Sequence, residues 1–198
     1  MIAIVDYGAG NLRSIQRAII HGGGKAEITS DPDTIRQADR VVLPGVGNAK
    51  AAMDRLHREG LAAAVTDVAE AGKPLLGICL GMQLLFGPQA EGPTTGLELL
   101  DGEVVWLPAN HKVPHMGWNV AEFVPGTPLG DFDRMEVYFV HSLYAIPGNE
   151  DDVAAETQYG LRFPAIVIHE NIWGMQFHPE KSGEDGLKLV QRWLEVPS

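Results

Sequence analysis

Lys73-Pro74-Leu75-Leu76-Gly77-Ile78-Cys79-Leu80-Gly81-Met82-Gln83 decides the fold. It begins as an apolar run of strand length, passes through Gly-x-Cys-x-Gly, and continues with helical spacing. A strand that turns into a helix through two glycines is a nucleophile elbow, here with sulfur in place of oxygen. Its apex is expected at the C-terminal edge of a sheet. The helix behind it aims unpaired N–H groups at the side chain, which favours a thiolate. A lone cysteine is more commonly a small buried hydrophobe. The paired glycines and the strand-to-helix switch favour the reactive reading, provided the chain supplies a base.

Upstream of the elbow, strands and helices alternate. Ile2-Ala3-Ile4-Val5 reads as a buried strand feeding the loop Asp6-Tyr7-Gly8-Ala9-Gly10-Asn11. Asn11 is placed to cap a helix with Leu12, Ile15, Ala18 and Ile19 on one face. Arg13 occupies the third glycine position of Gly-x-Gly-x-x-Gly, which argues against a dinucleotide loop. Gly22 to Gly24 end that helix, Ala26 to Thr29 form a short strand, and Asp31-Pro32 starts the next helix. Arg40-Val41-Val42-Leu43 is a third buried strand running into Pro44-Gly45-Val46-Gly47. Two helices follow, one with Ala52, Met53 and Leu56 inward, the other over Leu61 to Ala71. The alternation predicts an α/β fold with a largely parallel sheet flanked by helices. The loops after Val5, Leu43 and Ile78 then cluster at one edge.

Downstream, Gly87 to Gly96 is a loop. The chain then reads as strands at Glu103 to Leu107, Val137 to His141, Ala165 to Ile168 and Trp173 to Phe177, with a turn at Glu170-Asn171. Several are expected as antiparallel additions, making the sheet mixed. Glu184 to Leu194 closes as a helix with Leu187, Val190, Trp193 and Leu194 inward.

The base stands in Gln176-Phe177-His178-Pro179-Glu180. His178 and Glu180 are two apart, so in an extended segment their side chains share a side. A carboxylate beside an imidazole fixes its tautomer and stabilises the imidazolium. Taken alone, His-Pro-Glu is a solvated turn; its place after a late apolar strand brings it to the elbow's edge. For an oxyanion, Leu80 N–H supplies one donor. Val46 and Gly47 in the glycine loop can supply the second, although a plain strand–helix connector has the same spacing. His111 and His115 suggest a metal pair, but Pro114 breaks a common helix face and no further ligand has suitable spacing.

Composition narrows the partners. The chain has 198 residues, 45% hydrophobic and 21% charged, which suits one domain spanning residues 1–198. A net charge of −11 with scattered acids is a poor match for nucleic acid. No stretch is apolar enough to cross a bilayer, and the first residues lack the pattern of a signal peptide. With one cysteine, a reducing cytoplasmic setting is expected.

Taken together, Pro44-Gly45-Val46-Gly47, Gly77 to Gln83 and Gln176 to Glu180 resemble the class I (triad) glutamine amidotransferases over the full chain. Asp6 to Asn11, Pro114-His115-Met116-Gly117-Trp118-Asn119 and Tyr138-Phe139-Val140-His141-Ser142 narrow this. They are similar to the branch that forms the glutaminase subunit of imidazole glycerol phosphate synthase in histidine biosynthesis. The resemblance implies the amidotransferase fold and a Cys79, His178, Glu180 triad that hydrolyses glutamine through a glutamyl thioester. It implies an oxyanion hole from Leu80, Val46 and Gly47, and glutamine contacts at Gly45, Gln83, Glu91, His141 and Ser142. No cofactor or metal is implied. The implied partner is a (β/α)₈-barrel cyclase subunit, paired as a heterodimer. That partner uses the ammonia to make imidazole glycerol phosphate and AICAR. Gly8, Gly10, Asn11, Pro114, Met116, Trp118, Tyr138 and Lys181 match partner-facing positions. Leu143 departs from the pattern, standing where a second aromatic is often found. A glutaminase for another acceptor, as in vitamin B6 synthesis, and a non-catalytic subunit of the same fold are the alternatives.

Overall fold

A computed structural model describes residues 1–197. The first half alternates as expected: β1 (Ile2–Val5), α1 (Leu12–His21), β2 (Ala26–Thr29), α2 (Pro32–Gln37), β3 (Arg40–Gly45), α3 (Ala49–Arg58), α4 (Leu61–Glu70), β4 (Leu75–Cys79) and α5 (Leu80–Gln83). The second half adds β5 (Pro88–Gln89), β6 (Thr94–Thr95), β7 (Gly102–Trp106), β8 (His115–Phe123), β9 (Arg134–His141), β10 (Leu143–Pro147), β11 (Val153–Tyr159), β12 (Leu161–His169), β13 (Ile172–Met175) and α6 (Gly183–Leu194).

Nine strands form one sheet in the order β2-β1-β3-β4-β13-β12-β11-β8-β9. The run from β2 to β13 is parallel, and the rest is antiparallel. Every residue of β1, β4 and β13 is buried, because helices cover both faces of a parallel sheet. On one face α2, α3 and α4 pack with Val41, Leu43 and Leu75. On the other, Ile15 and Ile19 of α1 and Leu189, Val190 and Trp193 of α6 pack with Ile4, Val42 and Leu76. A smaller sheet, β10-β7-β5-β6, joins the first core through Val104, Leu143 and Ala145. The chain passes from the large sheet to the small one at Ser142, between β9 and β10.

Four local expectations are corrected. Asn11 sits at the start of α1, but its side chain makes no capping bond; its φ of −93° and ψ of 67° lie outside the extended geometry a cap needs. Asp31 does cap α2, accepting from Thr34 N at 2.9 Å. In α6 the buried leucine is Leu189, while Leu187 and Leu194 are half-buried. The last strand ends at Met175, two residues before Phe177. The helix behind Cys79 is a single turn, Leu80–Gln83, so only local N–H groups, and no extended dipole, face the sulfur.

Candidate active site

Cys79 ends β4 with φ 54° and ψ −110°, a conformation disfavoured for any side chain. Close packing around the glycines holds it there. A Cβ on Gly77 would lie 2.7 Å from the Gly81 carbonyl oxygen, and one on Gly81 would fall onto the carbonyl oxygen of Leu43 in β3. The turn therefore lies flat against the neighbouring strand, where Gly45 pairs with Cys79. The buried sulfur donates to Val140 O at 3.8 Å and accepts from Gln176 Nε2 at 3.9 Å.

Three residues beyond the end of β13, His178 enters the same edge. Its N–H donates to Tyr138 O at 2.9 Å, and its carbonyl accepts from Ser182 Oγ at 2.7 Å. Ser182 Oγ also accepts from Tyr138 N at 2.9 Å, so one hydroxyl ties the turn to β9. His178 Nδ1 bonds Glu180 Oε1 at 2.8 Å, with side chains 4% and 1% exposed. That bond leaves Nε2 as the working nitrogen, buried and without a partner among the described residues. Burial alone pulls the imidazole pKa down. The Glu180 hydrogen bond and the nearby charges of Cys79 and Glu180 outweigh it, raising the pKa from 6.5 to about 9. A buried imidazolium backed by a carboxylate and close to a cysteine sulfur is an arrangement that can activate the sulfur as a nucleophile.

Cys79 opens onto a cavity of about 360 Å³, lined also by Val46, Gly47, Leu80, Gln83, Glu91, Trp106, Pro114 and the His141 to Leu143 corner. The structure thus gathers Leu80, Val46, Gly47, Gln83, Glu91, His141 and Ser142 around the sulfur. Leu80 opens its helical turn, so its amide has no partner within it. Gly47 takes φ 97°, which a side chain would resist. Gln83 spends its amide donors on Leu143 O at 2.9 Å and Gln176 Oε1 at 3.0 Å. Glu91 Oε2 accepts from Ala49 N at 2.8 Å. Gly45 lies outside the lining, buried at the end of β3.

His141 donates from Nδ1 to Leu143 O at 2.7 Å, which leaves its Nε2 to accept from His115 Nδ1 at 3.0 Å. Burial lowers their pKa values to about 3 and about 4, so both rings are neutral. His115 is therefore committed to a second histidine inside the fold, and His111 is exposed. Of the expected partner-facing residues, Gly8, Gly10, Asn11, Met116, Trp118 and Lys181 are exposed, while Pro114 and Tyr138 are half-buried. Trp118 and Tyr138 meet edge to face across β8 and β9, with centroids 6.1 Å apart, and Lys181 Nζ lies 5.9 Å from the Tyr138 ring.

Sequence reasoning missed Tyr7, Trp106, Gln176 and Ser182 as site residues. Gln176 had a usable signal: two residues before His178 in an extended run, it shares that residue's side.

The profile of the family described as glutamine amidotransferase class-I matches residues 3–195. The chain is 50% identical over 198 residues to the imidazole glycerol phosphate synthase subunit HisH of Moorella thermoacetica, covering 98% of this chain and 94% of that protein. It is 48% identical to the protein of the same name from Methanothermobacter thermautotrophicus, covering 99% and 98%. A crystal structure described as a glutamine amidotransferase aligns with TM-score 0.80 at 20% identity, covering 99% and 98% of the two chains. PurLQS from Thermotoga maritima aligns with TM-score 0.76 at 22% identity, covering 98% and 96%. At such identities the likeness concerns the fold.

Proposed function

The chain belongs to the class-I glutamine amidotransferase family, and from that premise we propose that it works as the glutaminase subunit of an imidazole glycerol phosphate synthase. The observation that supports this most is the buried His178–Glu180 pair together with Cys79, which lines a cavity of about 360 Å³.

In this reading the Cys79 thiolate adds to the side-chain amide carbon of glutamine, and the carbonyl π pair moves onto oxygen. That oxyanion is received by Leu80 N–H and by an N–H of the Val46–Gly47 loop. His178 protonates the amide nitrogen, the C–N bond breaks, and ammonia leaves. The neutral imidazole then takes a proton from water, whose oxygen attacks the thioester. The C–S bond breaks, glutamate departs, and the thiolate–imidazolium pair is restored. Glu180 holds Nδ1–H throughout, so Nε2 alone exchanges protons. Glu91 and the His141–Ser142 corner are the groups best placed to hold the amino-acid end of glutamine.

Ammonia released into water would be protonated and lost as a nucleophile. We therefore read the chain as one amidotransferase domain of a cytoplasmic heterodimer with a (β/α)₈-barrel cyclase subunit, which consumes the ammonia in making imidazole glycerol phosphate and AICAR. The exposed Met116 and Trp118, with Tyr138 and Lys181 beside them, have the aromatic character of an interface anchor. The test is glutamate release from glutamine, measured with and without the cyclase and its ribonucleotide ligand. Release that rises on adding both is expected. No release under any condition contradicts the assignment. Co-purification with a vitamin B6 synthase would favour the other acceptor.

A further inference from the structure

The loop read above as the second oxyanion donor is held at both ends by side chains. Where it begins, Tyr7 Oη donates to Pro44 O at 2.8 Å in a buried bond. Where it ends, Glu91 Oε2 accepts from Ala49 N at 2.8 Å. Between these clamps Val46, Gly47 and Asn48 are exposed. Behind them lies a cavity of about 160 Å³, lined by Tyr7, Ala9, Val46, Asn48 and the first turns of α3. Gly45 is paired with Cys79, and Asn48 is tied to α3, its carbonyl accepting from Ala52 N and its Oδ1 from Ala51 N, so Val46 and Gly47 are the residues with room to turn their peptide planes.

Tyr7 also registers the two donors against each other. A Cβ on Gly45 would lie 2.5 Å from Tyr7 Oη and 2.9 Å from Leu80 Cβ. The hydroxyl, the Gly45 backbone and the residue carrying the first oxyanion donor are therefore packed together. The tyrosine is itself fixed, since Arg55 Nη1 donates to Tyr7 O and Gly8 O, both at 3.2 Å. Burial first, and then the Cys79 sulfur, push its phenol pKa above the ordinary value against a smaller pull from Arg55. The hydroxyl therefore stays protonated and stays a donor.

We propose that Tyr7 is a positioning residue for the oxyanion hole, aiming the Val46–Gly47 amide at the reacting carbonyl by pinning the Pro44 carbonyl. The proposal rests on the reading that Cys79 attacks a glutamine amide and that this loop receives the oxyanion.

Tyr7→Phe keeps the ring and removes the one bond. Three quantities are measured on wild type and variant, each assembled with the cyclase: kcat and KM for glutamine, and the rate of Cys79 alkylation by iodoacetamide. Alkylation needs the thiolate but forms no oxyanion. The expected result is a fall in kcat of about tenfold, less than the loss of a whole oxyanion donor. KM stays within about twofold and alkylation is unchanged. An unchanged kcat overturns the proposal, as does an equal fall in alkylation, which would place the effect on the thiol. A wild type that is alkylated but releases no glutamate overturns the parent reading and this proposal with it.

Discussion

At the scale of single residues, the charge state of His178 governs the chemistry of the proposed mechanism. Its folded pKa of about 9 lies above the ordinary 6.5, so its protonation stabilises the fold fully below about pH 6.5. That contribution is lost as pH rises through about 9. Glu180→Gln keeps the shape and removes the charge that supports the imidazolium. The expected outcome is a kcat lower by on the order of 10²-fold. The alkaline limb of the activity profile should also shift toward neutral pH, read from kcat between pH 6 and 10. An unshifted limb would show that Glu180 does not tune the imidazole. The place of Cys79 at the end of β4 and the pairing of His178 with Glu180 were legible in the sequence because short motifs carry them. Tyr7 was not, because its role depends on a carbonyl 37 positions away that only the sheet brings near. Gly45 was read as a glutamine contact. The pairing of Gly45 with Cys79 also makes it the packing surface beneath the elbow.

At the scale of elements, the elbow and the His178 turn are each held by one small group. Gly81→Ala places a methyl on the Leu43 carbonyl oxygen, so β3 and β4 must separate where they position Pro44 and Cys79. A loss of stability of about 3 kcal/mol is expected in urea denaturation, at the upper end of ordinary overpacking. A loss under about 0.5 kcal/mol would show that the turn does not need its glycine. Ser182→Ala removes the hydroxyl shared by Tyr138 N and His178 O. It should cost about 1–3 kcal/mol, because one buried donor and one buried acceptor each lose a partner. Unchanged stability would contradict the tie between the turn and β9. The fully buried parallel strands were legible as apolar runs. The strands β8 and β11 were not: the inward side of β8 is only half-buried at Gly117 and Asn119, with Gly117 at φ 133°, and a bulge at Ala155 breaks the register of β11. The two-residue strands β5 and β6 carry too few side chains for any period.

At the scale of the whole molecule, the parallel half of the large sheet supplies Cys79 and His178. The second half supplies the wall at His141 to Leu143, where the chain changes sheets. The Val46–Gly47 stretch, proposed to receive the oxyanion, is exposed between the clamps, so in the isolated chain its peptide planes are free to populate other orientations. Turnover by the isolated chain is therefore expected to be well below that of the assembled synthase. Equal rates would show that the loop is set without a partner.

The most direct measurement is mass spectrometry of the chain after reaction with an electrophilic glutamine analogue, comparing wild type, Cys79→Ser and His178→Asn, with glutamate release followed in parallel. The account predicts a single adduct on Cys79 in the wild type, none in Cys79→Ser, slower formation in His178→Asn, and no glutamate release from either variant. An adduct on another residue, or glutamate release that survives Cys79→Ser, would contradict it.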